Sequence, residues 1–269
     1  MKNKLWAVVL IGLALCIEPV ASAAPEQKKG REYYEARGEI VWEVPTTDKV
    51  VALTFDDGPD PVATPAILKL LKQYDAKASF FVVGNRVDEY PEIVLQEFNE
   101  GHEIGNHTYK HTYFNLKRNE QLLAEEITRT EDSIFALTGQ RPILFRPPGG
   151  FYNNNLIDYT TSHGYLAVLW SWHQDTKDWA RPGAWKIRDK VLRNLRSGDI
   201  ILMHDHVENS LQTVEALKTI LPELQKRGYR CITVSELLRH QHHAEPVRNT
   251  PEHNQDGALK WKQPPSETK

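Results

Sequence analysis

The sequence predicts an α/β protein built as an irregular seven-stranded (β/α) barrel, with its active site at the C-terminal ends of the strands. Seven short apolar runs alternate with segments of helical periodicity, which indicates parallel strands joined by helices. Acidic, histidine and arginine residues end these runs or follow them directly. Because the C-terminal ends of the strands share one face of such a barrel, these polar residues should meet there. Seven strands instead of eight predict incomplete closure.

The predicted strands are short and consist mainly of β-branched, aromatic and other apolar residues. They cover residues 50–55, 78–83, 103–106, 144–145, 165–170, 200–203 and 229–234. Residues 39–45 show a brief alternation in which Ile40, Trp42 and Val44 are apolar. This pattern predicts a further strand that lies against the barrel.

Helix signals fill the intervals between the strands. Thr64 is an N-cap followed by proline at the first helical position, so a helix should run from there to about Tyr74. Asn119 should cap a long helix that ends at Gly139, because apolar residues recur between them at helical spacing. The other helices are predicted from residue 91 to a stop at residue 101, and over residues 155–163, 185–195 and 211–227.

The two ends of the chain depart from this pattern. Residues 1–23 have the positive start, apolar core and small-residue cleavage site of a secretory signal peptide, and the apolar run is shorter than the ~20 residues of a membrane span. Cys16 would permit lipid attachment, although the bulky Leu15 disfavours it. Residues 24–45 are a leader, flexible to about Arg37. Residues 46–240 form the domain, and residues 241–269 form a disordered tail. We expect a protein that is secreted or associated with the cell wall.

Charge and cysteine content argue against a nucleic-acid-binding protein and against a fold held by disulfides. The net charge is −3 and both signs are interspersed, so nothing indicates binding to nucleic acid. Cleavage of the signal peptide removes Cys16 and leaves Cys231 without a partner, so no internal disulfide is expected. The remaining length suits one barrel of about 250 residues. We expect a monomer with no membrane span after cleavage.

Two histidines four residues apart suggest a metal site. On a helical turn, His107 and His111 would share a face and could bind one ion. The same spacing occurs by chance on surface helices, so a third ligand is needed. Asp56 and Asp57 leave a strand in different directions, so one can face an ion and the other a substrate water. The glycine and proline that follow them would hold both at the rim. Histidines at 240, 242 and 243 are more typical of a solvated tail.

Five segments occur in the order of the five motifs of the polysaccharide deacetylase family, which the sequence resembles from about residue 50 to residue 238. The segments are 54–59, 107–111, 146–150, 175–179 and 202–204. Each alone could be structural, as a turn, an ion pair or a core histidine, but that account needs five coincidences in order. The resemblance implies a metal-dependent N-deacetylase of chitin-like or peptidoglycan sugars. It also implies that residues 46–240 are a polysaccharide deacetylase (NodB-like) domain.

The resemblance implies one divalent ion and a base. Asp57, His107 and His111 would hold the ion, which is usually zinc, although cobalt or another divalent ion would also fit. Positions would stay open for water and for the acetyl oxygen, in agreement with the chemistry of this ligand set. Asp56 would be the general base that takes a proton from the water, and Arg146 would orient its carboxylate.

The resemblance also implies an acid and a pocket. His204 would be the general acid that protonates the departing sugar nitrogen. Asp178, together with Asp175, would orient His204 and stabilise its charge. Trp179 and Leu202 would line a small apolar pocket for the acetyl methyl group.

Gly149 is a departure from the family, which often has an aromatic residue at this position. A backbone N–H near Gly149 would still stabilise the oxyanion, a contribution of about 3–4 kcal/mol for a good donor. The change puts in doubt a ring wall of the substrate groove. The loop formed by Gly149 and Gly150 could also be more mobile.

Other functions stay open from the sequence alone. An O-acetyl esterase acting on xylan or another acetylated glycan would use the same site. A catalytically silent wall-binding protein would usually have lost a ligand, the base or the acid, and all are present here. The expected partner is an acetylated polysaccharide. The loops that set substrate length do not separate peptidoglycan from chitooligosaccharide.

Overall fold

The computed structural model describes residues 29–114 and 120–241, together with the short strands 252–253 and 259–260. The predicted signal peptide and most of the predicted tail lie outside these residues. The main sheet has eight strands: β1 Ile40–Val41, β2 Val50–Asp56, β3 Ala78–Val82, β4 Glu103–Asn106, β5 Leu144–Phe145, β6 Leu166–Val168, β7 Ile200–His204 and β8 Arg230–Cys231. A separate antiparallel pair joins β9 Glu252–His253 to β10 Leu259–Lys260.

The eight strands form a curled half-barrel in the order β1-β6-β5-β4-β3-β2-β7, and β8 pairs with β2. All of these pairings are parallel. The predicted α/β fold, an irregular and incompletely closed barrel, is therefore confirmed. β1 is the further strand predicted within residues 39–45, and it pairs with β6 through Ile40 and Val41.

The helices in the described residues lie between the strands. They are α1 Arg31–Ala36, α2 Ala63–Gln73, α3 Gly84–Glu89, α4 Pro91–Asn99, α5 Glu120–Thr138, α6 Asn154–Ser162, α7 Ala184–Arg193, α8 Gln212–Lys226 and α9 Val234–Arg239. The sequence did not predict α3 or α9. The strand predicted over residues 229–234 ends early because Thr233 caps α9, its side-chain oxygen accepting a hydrogen bond from Glu236 N at 3.2 Å.

Part of the predicted flexible leader is ordered, so that prediction is wrong for the residues of α1. The ring of Tyr34 is buried, and its hydroxyl donates a hydrogen bond of 2.5 Å to Asn154 Oδ1 at the start of α6. Arg31 donates to Glu43 at 3.0 Å. The polar composition concealed this helix, because one buried tyrosine fastens it to the domain.

An irregular segment after β6 pairs with β7, the strand at one edge of the sheet. Ser171 N donates a hydrogen bond of 3.0 Å to Ile200 O, and Asp175 forms an isolated parallel bridge with Leu202. Residues 171–175 therefore continue the line of β6 alongside β7 without forming a regular strand. We call this junction the seam. It brings residues 170–178 to the C-terminal rim of the barrel.

The core surrounds β2, in which all seven residues are buried. This is the pattern of a parallel strand covered on both faces. Phe55 stacks on Phe80 of β3 with the ring centroids 5.1 Å apart. Each fully buried phenylalanine or leucine contributes about 1.5–3 kcal/mol through removal from water. β2 therefore gives the residues at its C-terminal end a rigid base. No helix among the described residues has the length and apolar character needed to cross a bilayer.

Candidate active site

A cavity of about 430 Å³ opens at the C-terminal ends of the strands. Two of the eleven predicted site residues, Arg146 and Asp178, are buried behind its wall and hydrogen-bond to residues that line it. The other nine line the cavity directly: Asp56, Asp57, His107, His111, Gly149, Asp175, Trp179, Leu202 and His204. The structure thus brings all eleven together at the rim.

The three predicted ligands form one group, which we call the rim cluster: Asp57, His107 and His111. Asp57 Oδ1 lies 3.1 Å from His111 Nε2 and 3.4 Å from His107 Nε2. One donor atom from each residue lies within 4.8 Å of the other two. Asp57 Oδ1 is buried and accepts no hydrogen bond from the described residues. An unsatisfied buried carboxylate oxygen beside two imidazole nitrogens fits a divalent cation.

The two histidines do not lie on a helical turn, so that part of the sequence interpretation is wrong. Residues 107–114 form no regular structure. Thr108 and His111 have left-handed backbone conformations, with φ of 70° and 53°. The side chain of Asn106, at the end of β4, accepts a hydrogen bond from Thr108 N at 2.9 Å and donates one to Ile127 O. This loop, and not helical periodicity, aims both imidazoles at Asp57.

Neighbouring groups fix the orientation of His107. Its Nδ1 lies 2.7 Å from the carbonyl oxygen of Arg146, which can only accept, so Nδ1 carries the proton and Nε2 keeps a lone pair facing Asp57. Burial alone would raise the pKa of Asp57, but the nearby imidazoles of His107 and His111 hold it well below its usual range. Asp57 is therefore an ionised carboxylate, and the Nε2 lone pair of His107 is available to a cation.

Asp56 lies beside the rim cluster and is held by Arg146. The Arg146 guanidinium is fully buried and donates to Asp56 Oδ1 at 2.7 Å, to Thr54 Oγ1 at 2.9 Å and to the Val168 carbonyl at 2.9 Å. It also lies over the ring of Phe81, 4.0 Å from the centroid. Burial lowers the pKa of Arg146, and the charge of Asp56 opposes that shift. The pair fixes one oxygen of Asp56 and leaves the other beside His107 Nε2, at 3.8 Å.

His204, the last residue of β7, is paired with Asp178. The His204 Nδ1 atom lies 2.6 Å from Asp178 Oδ1. Asp178 Oδ2 accepts hydrogen bonds from His204 N at 2.8 Å and from the Thr213 hydroxyl at 2.7 Å. Burial would lower the pKa of His204, but Asp178 raises it to about 9. His204 is therefore a protonated donor at neutral pH, with its Nε2 side toward the cavity.

Asp175 occupies a different place from Asp178. Its Oδ1 accepts a hydrogen bond of 3.0 Å from Lys177 N, and the residue lines the cavity from the seam. Among the described residues, no hydrogen bond joins Asp175 to His204. Of the two candidates for orienting His204, Asp178 makes the contact.

Known proteins resemble this chain over most of the described domain. The family model described as polysaccharide deacetylase matches residues 43–168. A peptidoglycan-N-acetylglucosamine deacetylase of Bacillus cereus is 50% identical over 212 residues, which cover 79% of this chain and 99% of that protein. The chain belongs to the polysaccharide deacetylase family. The family and the class of enzyme predicted from the five motifs are confirmed.

Solved structures of family members have the same fold. A crystal structure of a peptidoglycan N-acetylglucosamine deacetylase superposes with a TM-score of 0.72 at 36% identity, covering 78% of this chain and 97% of that one. A family 4 acetyl xylan esterase from Clostridium thermocellum, solved with a cobalt ion, superposes with a TM-score of 0.64 at 35% identity, covering 71% and 91%.

The cavity also has three aromatic residues that the sequence interpretation missed. Tyr113, Phe151 and Trp170 line it, and the first two are 42% and 49% exposed. Tyr113 follows His111 by two residues, Phe151 follows the glycine pair, and Trp170 ends a predicted strand. These positions are their only signal in the sequence. Exposure of an aromatic side chain cannot be read from such a position.

These rings explain the glycine at position 149, where the family often has an aromatic residue. A Cβ on Gly149 would lie 2.8 Å from the ring of Tyr113 and 3.0 Å from that of Phe151. A Cβ on Gly150 would lie 2.7 Å from the ring of Trp170. Both glycines have positive φ, 64° and 69°. The backbone therefore passes close between aromatic rings, and Tyr113 and Phe151 stand where a side chain at 149 would be.

Proposed function

We propose that this chain hydrolyses N-acetyl groups on N-acetylglucosamine residues of a polysaccharide, with peptidoglycan as its main substrate. The observation that carries the proposal is that the rim cluster meets two ion pairs at one cavity, each formed by an aspartate and a basic side chain. A ligand set alone would suit a structural metal. Asp56 with Arg146 and His204 with Asp178 add a base and an acid on either side of it. The similarity to the Bacillus cereus deacetylase supports the substrate.

Asp57, His107 and His111 would hold a divalent cation, for which we propose zinc. Two imidazole nitrogens and one carboxylate are a usual ligand set for catalytic zinc, with coordination positions left for substrate and water. When bound, the cation would lower the pKa of a water molecule and polarise the acetyl carbonyl. The cobalt ion in the Clostridium thermocellum esterase supports a divalent transition metal at such a site.

Asp56 would be the general base. Arg146 binds one carboxylate oxygen, so the other is free to take a proton from the attacking water. Complete burial of Arg146 and its four hydrogen-bond acceptors prevent the pair from moving apart during the reaction. A general base held in this way typically contributes 10²–10⁴-fold to the rate, as an order of magnitude.

His204 would be the general acid. The oxygen of water adds to the acetyl carbonyl carbon, the C–N bond breaks, and the amine must leave with a proton. Protonated His204 would give its Nε2 proton to that nitrogen, because Nδ1 is committed to Asp178. The raised pKa of His204, about 9, keeps this proton available at neutral pH.

Aromatic and apolar side chains would form the substrate groove. Trp179 is 56% exposed at the cavity and Leu202 lies at its floor, so both can contact the acetyl methyl group. Tyr113 and Phe151, with ring centroids 6.1 Å apart, would offer faces for the apolar side of a sugar ring. They would replace the wall that Gly149 does not provide, while the Gly149 N–H would remain near the oxyanion.

We further propose that the protein is exported and acts as a monomer outside the cell. The proposed substrate is a cell-wall polymer, which supports an extracellular location. Export would depend on the signal peptide predicted in residues 1–23, outside the described part of the chain.

An O-acetyl esterase is the alternative that a specific observation favours, the similarity to the acetyl xylan esterase. Acetate release from peptidoglycan, chitooligosaccharide and acetylated xylan separates these functions. We expect the highest kcat/KM on peptidoglycan. Preference for acetylated xylan would establish the esterase, and no release from any substrate would indicate an inactive wall-binding protein.

The same assay tests the cation. A chelator should abolish acetate release, and added zinc or cobalt should restore it. Full activity in protein shown by elemental analysis to be metal-free would exclude the proposed mechanism.

A further inference from the structure

The turn that carries Asp56 and Asp57 has an unfavourable backbone conformation. Asp57 has φ of 74°, in the left-handed region that residues with a Cβ seldom adopt. Such a conformation is strained and persists only where the surroundings enforce it. Because this conformation directs the Asp57 carboxylate toward His107 and His111, whatever enforces it also shapes the rim cluster.

Asp205 lies directly beneath this turn. It follows β7, its side chain is buried, and its backbone N–H donates to Asp56 O at 3.2 Å. The Asp205 carboxylate packs against Gly58 so closely that a Cβ on Gly58 would overlap it. The contact therefore requires glycine at 58 and a short side chain at 205.

A buried hydrogen-bond chain holds Asp205 in place. The hydroxyl of Thr64, in α2, donates to Asp205 Oδ2 at 2.5 Å and accepts from Asp60 N at 2.7 Å. Asp60 Oδ1 accepts from two backbone N–H groups at the start of α2. The carboxyl beneath the turn and the residue just after the turn are thus joined through one threonine.

A second chain holds the outer side of the turn. His206 Nδ1 lies 2.8 Å from Asp60 Oδ2, and its Nε2 lies 2.6 Å from an Arg86 nitrogen. Arg86 also donates to the carbonyl of Pro59 at 3.0 Å. His206 therefore belongs to the support of the turn.

The second carboxylate oxygen of Asp205 has no partner in the described part of the chain, so the side chain does not form an ion pair there. Asp205 Oδ1 is buried and has no hydrogen-bond partner among the described residues. Burial, with Asp57 and Asp56 nearby, raises the pKa of Asp205 to about 7, against the hydrogen bond from Thr64. A carboxyl kept in such an unfavourable place needs a compensating role, and its contact with Gly58 indicates one.

We infer that Asp205 is a positioning residue for the rim cluster: packed on Gly58 and held by Thr64, it fixes the turn that aims Asp57 at the two imidazoles. The inference rests on the proposed metal-dependent function, but its test reads metal binding and not turnover. Asp205 touches no substrate and no predicted ligand side chain.

The chain offers a matched control on the same strand. Asp199 precedes β7 as Asp205 follows it, and the two are 2% and 1% exposed. Asp199 accepts hydrogen bonds at the seam, far along the strand from the turn. Substitution of either aspartate by alanine should lower thermal stability, but only Asp205→Ala should loosen the turn.

The experiment titrates Co²⁺ into full-length apo-protein and follows its visible absorption. Asp205→Ala should weaken Co²⁺ affinity at least ~10-fold and change the absorption spectrum, while Asp199→Ala stays within about twofold of the unmodified protein. Equal affinity in Asp205→Ala and the unmodified protein, or an equal loss in Asp199→Ala, would overturn the inference.

A double variant tests the contact itself. Gly58→Ala alone should weaken Co²⁺ affinity because its Cβ overlaps the Asp205 carboxylate. Gly58→Ala with Asp205→Ala should bind Co²⁺ more tightly than Gly58→Ala alone, because the carboxylate is gone. Losses that simply add would contradict the proposed contact.

If Asp205→Ala does not fold, Thr64→Val carries the same test. Valine keeps the shape of threonine and removes the hydroxyl that holds Asp205. We expect about a threefold or larger loss of Co²⁺ affinity, and unchanged affinity would overturn the inference. An unmodified protein whose Co²⁺ binding is absent, or is undiminished by His107→Ala, would instead refute the proposed function, and the inference with it.

Discussion

Two groups of histidine and carboxylate side chains among the described residues bring donor atoms within 4.8 Å of one another. One is the rim cluster, Asp57, His107 and His111. The other lies at the seam and consists of Glu43, His173 and Asp199, which we call the seam cluster. Each has nitrogen and oxygen donors of the types that zinc accepts. Only their surroundings distinguish a candidate metal site from a structural junction.

The carboxylates of the seam cluster are already used by protein donors. Asp199 lies 3.0 Å from His173 Nε2 and accepts hydrogen bonds of 2.8 Å from Gln174 Nε2 and from Arg196 N. Glu43 accepts from Arg31 at 3.0 Å. Glu43 and Asp199 also form an isolated backbone bridge that joins the two sides of the seam. The cluster is therefore suited to holding the seam together.

The carboxylate oxygen at the centre of the rim cluster is free of such donors. Asp57 Oδ1 accepts no hydrogen bond from the described residues, although it is buried. His107 directs its protonated nitrogen away from Asp57 toward a carbonyl, whereas His173 directs Nε2 at Asp199. The comparison teaches that ligand types and proximity do not define a metal site. A metal site also needs ligand atoms whose lone pairs accept no hydrogen bond from the protein and that lie beside a cavity.

The largest expected effect comes from substituting one histidine in each cluster. His107→Ala should lose bound metal and nearly all acetate release, with an affinity loss above ~100-fold, since even removal of a group that only supports a ligand costs 10–100-fold. His173→Ala should keep one metal ion per chain. Elemental analysis and acetate release on both variants make the measurement, and metal loss in His173→Ala would remove the distinction between the clusters.

The second prediction concerns the general acid on the rim. His204→Ala should lower kcat on the N-acetyl substrate by about 10²–10⁴-fold without loss of metal. An ester with a good leaving group needs no protonation to depart, so its hydrolysis should fall much less. Equal losses on amide and activated ester would argue against the acid role of His204.

The third prediction uses the partner of His204. Asp178 raises the pKa of His204, and activity needs the protonated imidazole, so activity should fall as pH rises through that pKa. Asp178→Asn removes the charge, which lowers the pKa, and the basic limb of the kcat/KM profile should move to lower pH. Thr213→Val, which leaves the charge in place, should shift the limb less. A limb that stays in place in Asp178→Asn would disprove the coupling.

The smallest expected effect on activity comes from the seam. Asp199→Ala leaves the donors of His173, Gln174 and Arg196 without their acceptor, and each unsatisfied buried donor costs about 1–3 kcal/mol. The free energy of unfolding should fall, while kcat at temperatures well below unfolding stays unchanged. Denaturant titration and acetate release test this, and a stable but inactive Asp199→Ala would place the seam cluster in the catalytic machinery.

The site at the rim was predictable from sequence because each of its residues lies at or near the end of a predicted strand. Asp56 ends the mainly apolar strand β2, Asp57 follows it, and His204 ends β7, so parallel pairing alone brings them to one face. The family motifs then supplied the roles. Arg146 directly follows β5 and so reaches the same face, whereas its role as the partner of Asp56 came from the family motifs.

What the sequence missed depends on conformation or on distant pairing. The left-handed conformation of Thr108 and His111 has no signature in residue type, so a helical turn was the wrong expectation. The seam cluster joins residues far apart in the chain, across a junction that no periodicity marks. The ordered α1 depends on one tyrosine, Tyr34, whose burial its charged neighbours conceal.

The central claim is that two adjacent carboxylates at the end of β2 have different tasks. Metal content and acetate release, measured together on Asp56→Asn and Asp57→Ala, test it most directly. Asp56→Asn should keep its metal and lose turnover by about 10²–10⁴-fold, because asparagine keeps the shape but accepts no proton. Asp57→Ala should lose its metal, with partial rescue when metal is added in excess. Metal loss in Asp56→Asn together with retained metal and activity in Asp57→Ala would contradict the account.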